Sequence, residues 1–107
     1  MNCLFCKIIK GEKEAELIKE TEEILVIKDI NPKASIHYLI IPKKHVESVK
    51  EKEAESIASS LIKTAKEIAE RKNIKGYKLV FNVGRKGGQM IDHLHLHFLA
   101  GDNIECP

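Results

Sequence analysis

The sequence predicts an α+β fold: a five-stranded antiparallel sheet with one short N-terminal helix and one long helix. Three observations carry this. Short apolar or alternating stretches follow one another across tight turns, which suits antiparallel neighbours. Only one stretch, from about Ser48 to Lys72, sustains a helical apolar period over many turns. The run "DHLHLHF" (92–98) alternates strictly, with His93, His95 and His97 on one side and Leu94, Leu96 and Phe98 on the other.

The elements follow in order. "CLFCKIIKG" sets Leu4, Phe5, Ile8 and Ile9 at helical spacing with Gly11 as the stop, a short helix of about two turns. "ELIKE" (16–20) and "EILVIKDI" (23–30) read as strands joined by a polar turn. "NPKAS" (31–35) is a turn, because Pro32 pushes Asn31 out of helical geometry. "HYLIIP" (37–42) is the third strand, stopped by Pro42. In the long helix Ile57, Leu61, Ala65 and Ile68 form the apolar stripe, with Ala58, Ile62 and Ala69 beside it. "KGY" (75–77) turns the chain into "KLVFNV" (78–83), the fourth strand. "GRKGG" (84–88) is a glycine-rich loop, and 93–99 is the fifth strand. Both helices are expected on one face of the sheet. The loop runs straight into the fifth strand, so the glycines and the imidazoles belong at the same end.

The totals bound the rest. The 107 residues fit one domain, 1–107, with no repeat or linker. A net charge of +2 with interspersed signs gives no nucleic-acid footprint. There is no apolar run long enough for a membrane span and no signal-peptide pattern, so the expected location is the cytoplasm. Three cysteines are an odd set. In a reducing compartment, the C-x-x-C pair Cys3 and Cys6 suggests metal or redox chemistry over a disulfide framework.

Three imidazoles on one strand face cannot all hold one metal. Residues two apart are ~6.6 Å apart, so His93 and His97 stand ~13 Å apart, whereas zinc–nitrogen bonds are ~2.0–2.1 Å. At least one imidazole has another task. A row of surface histidines is the plain alternative. Phosphate chemistry is the other: neutral histidine offers a lone pair as nucleophile, and its N–H groups stabilise an oxyanion. Gly84, Gly87 and Gly88 allow backbone N–H groups to approach an anion closely.

"NVGRKGGQMIDHLHLHFLAG", "DINPKASIHYLIIPKKH" and the opening "CLFCKIIKGE" together resemble the histidine triad family, and within it the Hint-like branch of nucleotide phosphoramidases. The resemblance implies five antiparallel strands with two helices, a homodimer, and hydrolysis of the P–N bond of purine nucleoside 5′-phosphoramidates such as adenylate joined to lysine. It implies that His95 attacks the α-phosphorus to form a nucleotidyl-histidine. His97 hydrogen-bonds the phosphate, the His93 carbonyl fixes the nucleophile's proton, and His37 is a fourth histidine near the phosphate. Asp29 holds the ribose hydroxyls. Ile30 and the apolar residues before it line the base pocket, and Asn82, Gly88 and Gln89 surround the phosphate. Met90 stands where family members commonly carry Ser or Thr, and it has no hydroxyl to offer. The chain ends "GDNIECP", without the aromatic tail of some members. Dinucleoside polyphosphate hydrolysis and a non-catalytic purine-nucleotide sensor or adaptor are the alternative readings.

Cys3 and Cys6 have two readings of their own, as buried helix residues or as half of a zinc site. A C-x2-C pair needs two more ligands, and no short-range histidine pair supplies them. A redox pair would want the preceding strand of a βαβ unit, which is missing. The resemblance implies zinc, with His45 and His93 completing the site. Four protein ligands make such an ion structural. No role is assigned to Cys106.

Overall fold

The computed structural model describes residues 3–102 and Ile104. Cys106 lies outside the described residues. In chain order the elements are α1 (Leu4–Ile9), β1 (Leu17–Glu20), β2 (Ile24–Lys28), β3 (Ile36–Pro42), α2 (Ala54–Arg71), β4 (Tyr77–Val80), a 3₁₀ turn at Arg85–Gly87 and β5 (Leu96–Ala100). The strands form one antiparallel sheet in the order β1-β2-β3-β5-β4.

The helices lie on opposite faces of this sheet, not on one. Val26, Tyr38, Ile40, Leu96 and Phe98 pack with Leu61, Ala65 and Ile68 of α2. The alternate residues Leu25, Ile27, Leu39 and Ile41 pack with Phe5 of α1. The reason is in β2 and β3: "ILVI" and "YLII" are apolar at every position, so both faces of the central strands need cover. Phe5 is 2% exposed and supplies part of that cover.

Helix α1 ends in a Schellman motif. Glu12 N–H donates to Lys7 C=O (2.8 Å) and Gly11 N–H to Ile8 C=O (3.0 Å). Gly11 adopts φ +79°, which a residue with Cβ would resist.

Three boundaries differ from expectation by three residues or more. Helix α2 starts at Ala54 instead of Ser48, because the Ser48 hydroxyl accepts the Lys50 N–H (3.1 Å) and holds the intervening residues in turns. Strand β5 starts at Leu96 instead of His93. His93 N–H donates to Ile91 C=O (2.9 Å) and Leu94 N–H to Val46 C=O (2.6 Å), so this backbone is not available to the ladder. With no partner strand there, β4 stops at Val80. His93 and His95 therefore precede the strand, and only His97 sits in it, opposite Leu39 on β3 and Val80 on β4.

Candidate active site and metal centre

The face carrying α1 opens into a groove of about 700 Å³. His37, His95 and His97 line it, with Asp29 and Ile30 from the turn after β2 and Asn82, Gly88 and Met90 from the segment after β4. Apolar walls come from Leu4, Phe5 and Ile8 of α1 and from Ile27, Leu39 and Leu99 of the sheet. The Phe5 ring meets the His95 imidazole edge-on, with centroids 5.1 Å apart.

Hydrogen bonds assign the protons. His95 Nδ1 lies 2.7 Å from the His93 carbonyl, which can only accept. Nδ1 therefore carries the hydrogen, and Nε2 of the neutral ring keeps its lone pair. At His37, Lys33 N–H donates to Nδ1 (3.0 Å), so the ring proton is on Nε2. That Nε2–H donates to His97 Nδ1 (2.9 Å), which leaves the His97 proton on its own Nε2. Of the unprotonated nitrogens, those of His37 and His97 already accept a bond, so the lone pair left for chemistry is that of His95 Nε2, and His97 Nε2–H is the donor left over.

Burial keeps these rings neutral. It pushes His37 and His95 below the usual histidine value, against the opposing pull of Asp29. Burial, with His95 and His37 nearby, takes His97 down to about 4. The acid limb of a pH–rate profile is therefore expected below ~6.5, the ordinary imidazole value. Stability follows the same sign. Unfolded His97 takes up a proton near ~6.5, whereas the folded ring resists until about 4. Its contribution is full above that range and is lost as pH falls through it. Melting temperatures that stay level between pH 7 and about 4 would contradict this.

Asp29 is both a turn residue and a groove residue. Its Oδ1 accepts the Asn31 N–H (2.8 Å), and its Oδ2 lies 3.4 Å from His37 Nε2. Asn82 Nδ2 donates to Gly87 C=O (2.9 Å). Gly88 has φ +89°, and a Cβ there would stand 3.3 Å from Asn82 Nδ2, so the loop needs a glycine at this point. Met90 and Ile30 are 80% and 90% exposed at the groove.

Gln89 is expected near the phosphate, and the structure places its side chain behind the loop. It does not line the groove. Its Oε1 accepts Gly84 N–H (3.0 Å), and its Nε2 donates to Glu47 and Ile91 carbonyls (2.6 and 3.0 Å). A buried amide must be satisfied, and here backbone groups of Gly84, Ile91 and, from the segment after β3, Glu47 do so. Gln89 pins the loop from behind.

Several contributors leave no mark in the local residue pattern. Lys33 acts through its backbone N–H and Pro42 through its carbonyl, and neither role depends on side-chain type. Arg85 and Asp92 clasp the loop through two contacts of 2.7 and 2.9 Å. Phe5 had a readable helical position but no readable neighbour.

The third imidazole of the row turns elsewhere. His93 Nε2–H donates to Pro42 C=O (2.8 Å), leaving the Nδ1 lone pair facing Cys3 Sγ (3.3 Å), Cys6 Sγ (3.7 Å) and His45 Nδ1 (3.2 Å). Cys6 Sγ is also 3.3 Å from His45 Nδ1. These four donor atoms all lie within 4.8 Å of one another. A tetrahedron of zinc-length bonds has edges of about 3.3–3.8 Å, so the set fits a four-coordinate metal. Asp29, His37 and His97 also cluster. They suit a metal poorly, because the Lys33 N–H bond keeps a proton on the His37 nitrogen that faces the other two.

Comparison with known proteins agrees with this geometry. A family model described as "Scavenger mRNA decapping enzyme C-term binding" matches residues 2–105. A HIT-like protein of Methanocaldococcus jannaschii is 37% identical over 91% of this chain and 77% of its own. The chain belongs to the histidine triad family. A HIT family hydrolase from Legionella pneumophila superposes on this histidine triad protein with a TM-score of 0.91 at 41% identity, covering 99% of this chain and 98% of that one. A zinc-bound histidine triad protein from Mycobacterium smegmatis does so at 0.82 and 29% identity, over 98% and 81%. The fold is that of histidine triad hydrolases. Among the described residues, no helix is long and apolar enough to cross a membrane.

Proposed function

We propose that this histidine triad protein hydrolyses the P–N bond of purine nucleoside 5′-phosphoramidates of the AMP–lysine type. The observation that carries the reading is the 2.7 Å bond from His95 Nδ1 to the His93 carbonyl, which leaves an unprotonated Nε2 on a groove-lining ring. His95 Nε2 attacks the α-phosphorus. The P–Nε2 bond forms, the P–N bond to the amine breaks, and the amine leaves with the electron pair and takes a proton from solvent. Water then cleaves the nucleotidyl-histidine, releasing the nucleoside monophosphate and restoring the ring. His97 Nε2–H donates to a phosphate oxygen whose charge grows during attack.

Asp29 takes the ribose hydroxyls on Oδ2, and Ile27 and Ile30 hold the base. Asn82 and Gly88 shape the phosphate end. Met90 offers no donor there, so backbone N–H groups serve in its place. Cys3, Cys6, His45 and His93 hold one structural zinc ion. When bound it ties α1 to the segments after β3 and before β5 and adds no chemistry to the groove. We place the protein in the cytoplasm, where such thiolates survive.

We also propose a homodimer. β4 is an edge strand, and Ile62 of α2 is 40% exposed, so one protomer leaves backbone and apolar surface uncovered. Light scattering at micromolar concentration is expected to report about twice the 12.1 kDa chain mass; a clean monomer would remove this claim.

The direct test is AMP release from aminoacyl and lysyl adenosine phosphoramidates, run beside dinucleoside polyphosphates. Faster cleavage of the polyphosphates assigns the sister activity. Tight binding of AMP with no turnover of either assigns a nucleotide sensor, a reading that Met90 favours.

A further inference from the structure

We infer that His37 is a positioning residue that couples ribose capture at Asp29 to the phosphate-facing proton of His97. The inference rests on the proposed function for its substrate, but not for its geometry.

The His37 Nε2–H has two acceptors in reach. His97 Nδ1 is at 2.9 Å and Asp29 Oδ2 at 3.4 Å. It has no other arrangement, because the Lys33 N–H occupies Nδ1 and the ring is buried. Asp29 is equally constrained: Asn31 N–H holds Oδ1, so Oδ2 is the oxygen left for both His37 and a sugar hydroxyl. Asp29, His37 and His97 all line the groove.

These constraints make a relay. A ribose hydroxyl donating to Asp29 Oδ2 reduces that oxygen's pull on the His37 proton. The proton then serves His97 Nδ1 alone. An imidazole that accepts a stronger bond at one nitrogen becomes a better donor at the other, since hydrogen bonds in a chain polarise one another. His97 Nε2–H thus strengthens when the correct sugar is seated. No covalent bond changes, and no net charge moves. Ribose recognition would then act on kcat as well as on KM, since it tunes a donor used most in the transition state.

The first experiment needs no substrate. Nitrogen-15 spectra of the free protein should show His97 as the Nε2–H tautomer with Nδ1 accepting. Asp29→Asn removes the competing charge as ribose capture would, and should move the His97 Nδ1 resonance upfield. His37→Gln should abolish that movement. An unmoved His97 resonance in Asp29→Asn overturns the relay, whatever the protein hydrolyses.

The second experiment is kinetic. With the wild-type protein, a 2′,3′-dideoxyadenosine phosphoramidate should lose about 10-fold in kcat relative to the ribose form, beyond its rise in KM; this is a fraction of the ~10²–10³ carried by a whole oxyanion donor. In His37→Gln the kcat difference should vanish while the KM difference remains. If His37→Gln slows both substrates alike and preserves their kcat ratio, His37 is merely structural and the coupling is wrong.

Discussion

His95→Ala lowers turnover of an adenosine phosphoramidate by at least ~10³-fold while AMP binding largely survives. The size follows from what is removed. His95 is the one groove-lining imidazole whose hydrogen-bond partner leaves Nε2 unprotonated. Its neighbours cannot replace it. His97 Nδ1 is occupied by His37 and its Nε2 carries the proton, while His93 faces the cysteines. The groove itself is built from Ile27, Asp29, Leu39 and α1, none of which depends on the His95 ring for its place in the chain. His97→Ala should cost less, on the order of 10²-fold, as the loss of one donor to the phosphate. Stopped-quench AMP release against calorimetric AMP affinity separates chemistry from binding. More than a tenth of wild-type turnover in His95→Ala would end the nucleophile assignment.

The Cys3→Ser, Cys6→Ser double variant is expected to lose its metal and to melt several degrees lower. The four donors come from the N-cap and first turn of α1, from the segment after β3 and from the segment before β5, and their contacts span up to 90 residues of sequence. An ion closing such long loops stabilises the folded state, and its binding energy is folding energy. Without it α1 is held mainly by Phe5 and the apolar residues around it. His95-dependent turnover should persist in the folded variant, because the His93 carbonyl that orients the nucleophile is not a ligand. Elemental analysis of protein purified without chelators or an affinity tag tests the site directly. Less than about a tenth of an equivalent of metal, with no gain in melting temperature on adding zinc, would leave Cys3 and Cys6 as packing residues of α1.

Local pattern was legible in the sequence. The alternation of 93–99, the helical period of 57–69 and the Gly11 stop are written within a few residues of each element. The structure keeps all three elements and changes mainly their ends. The ends moved where a distant group intervened: Val46 takes the Leu94 N–H, so β5 begins at Leu96. The site residues were legible as a set, because motif spacing marks residue types. Their division of labour was not. His93, His95 and His97 share one residue type and one spacing, yet one faces two thiols, one keeps a lone pair and one donates. That split depends on which nitrogen of each ring meets Pro42, His93 or His37, and hydrogen-bond partners so far apart leave no local trace. Gln89 shows the same limit, since only the folded loop reveals that its amide is spent on backbone. The placement of the helices on opposite faces lies between the two. The unbroken apolar runs of β2 and β3 already required cover on both sides, but only the packed chain decided that Phe5, and not α2, would provide it over the histidines.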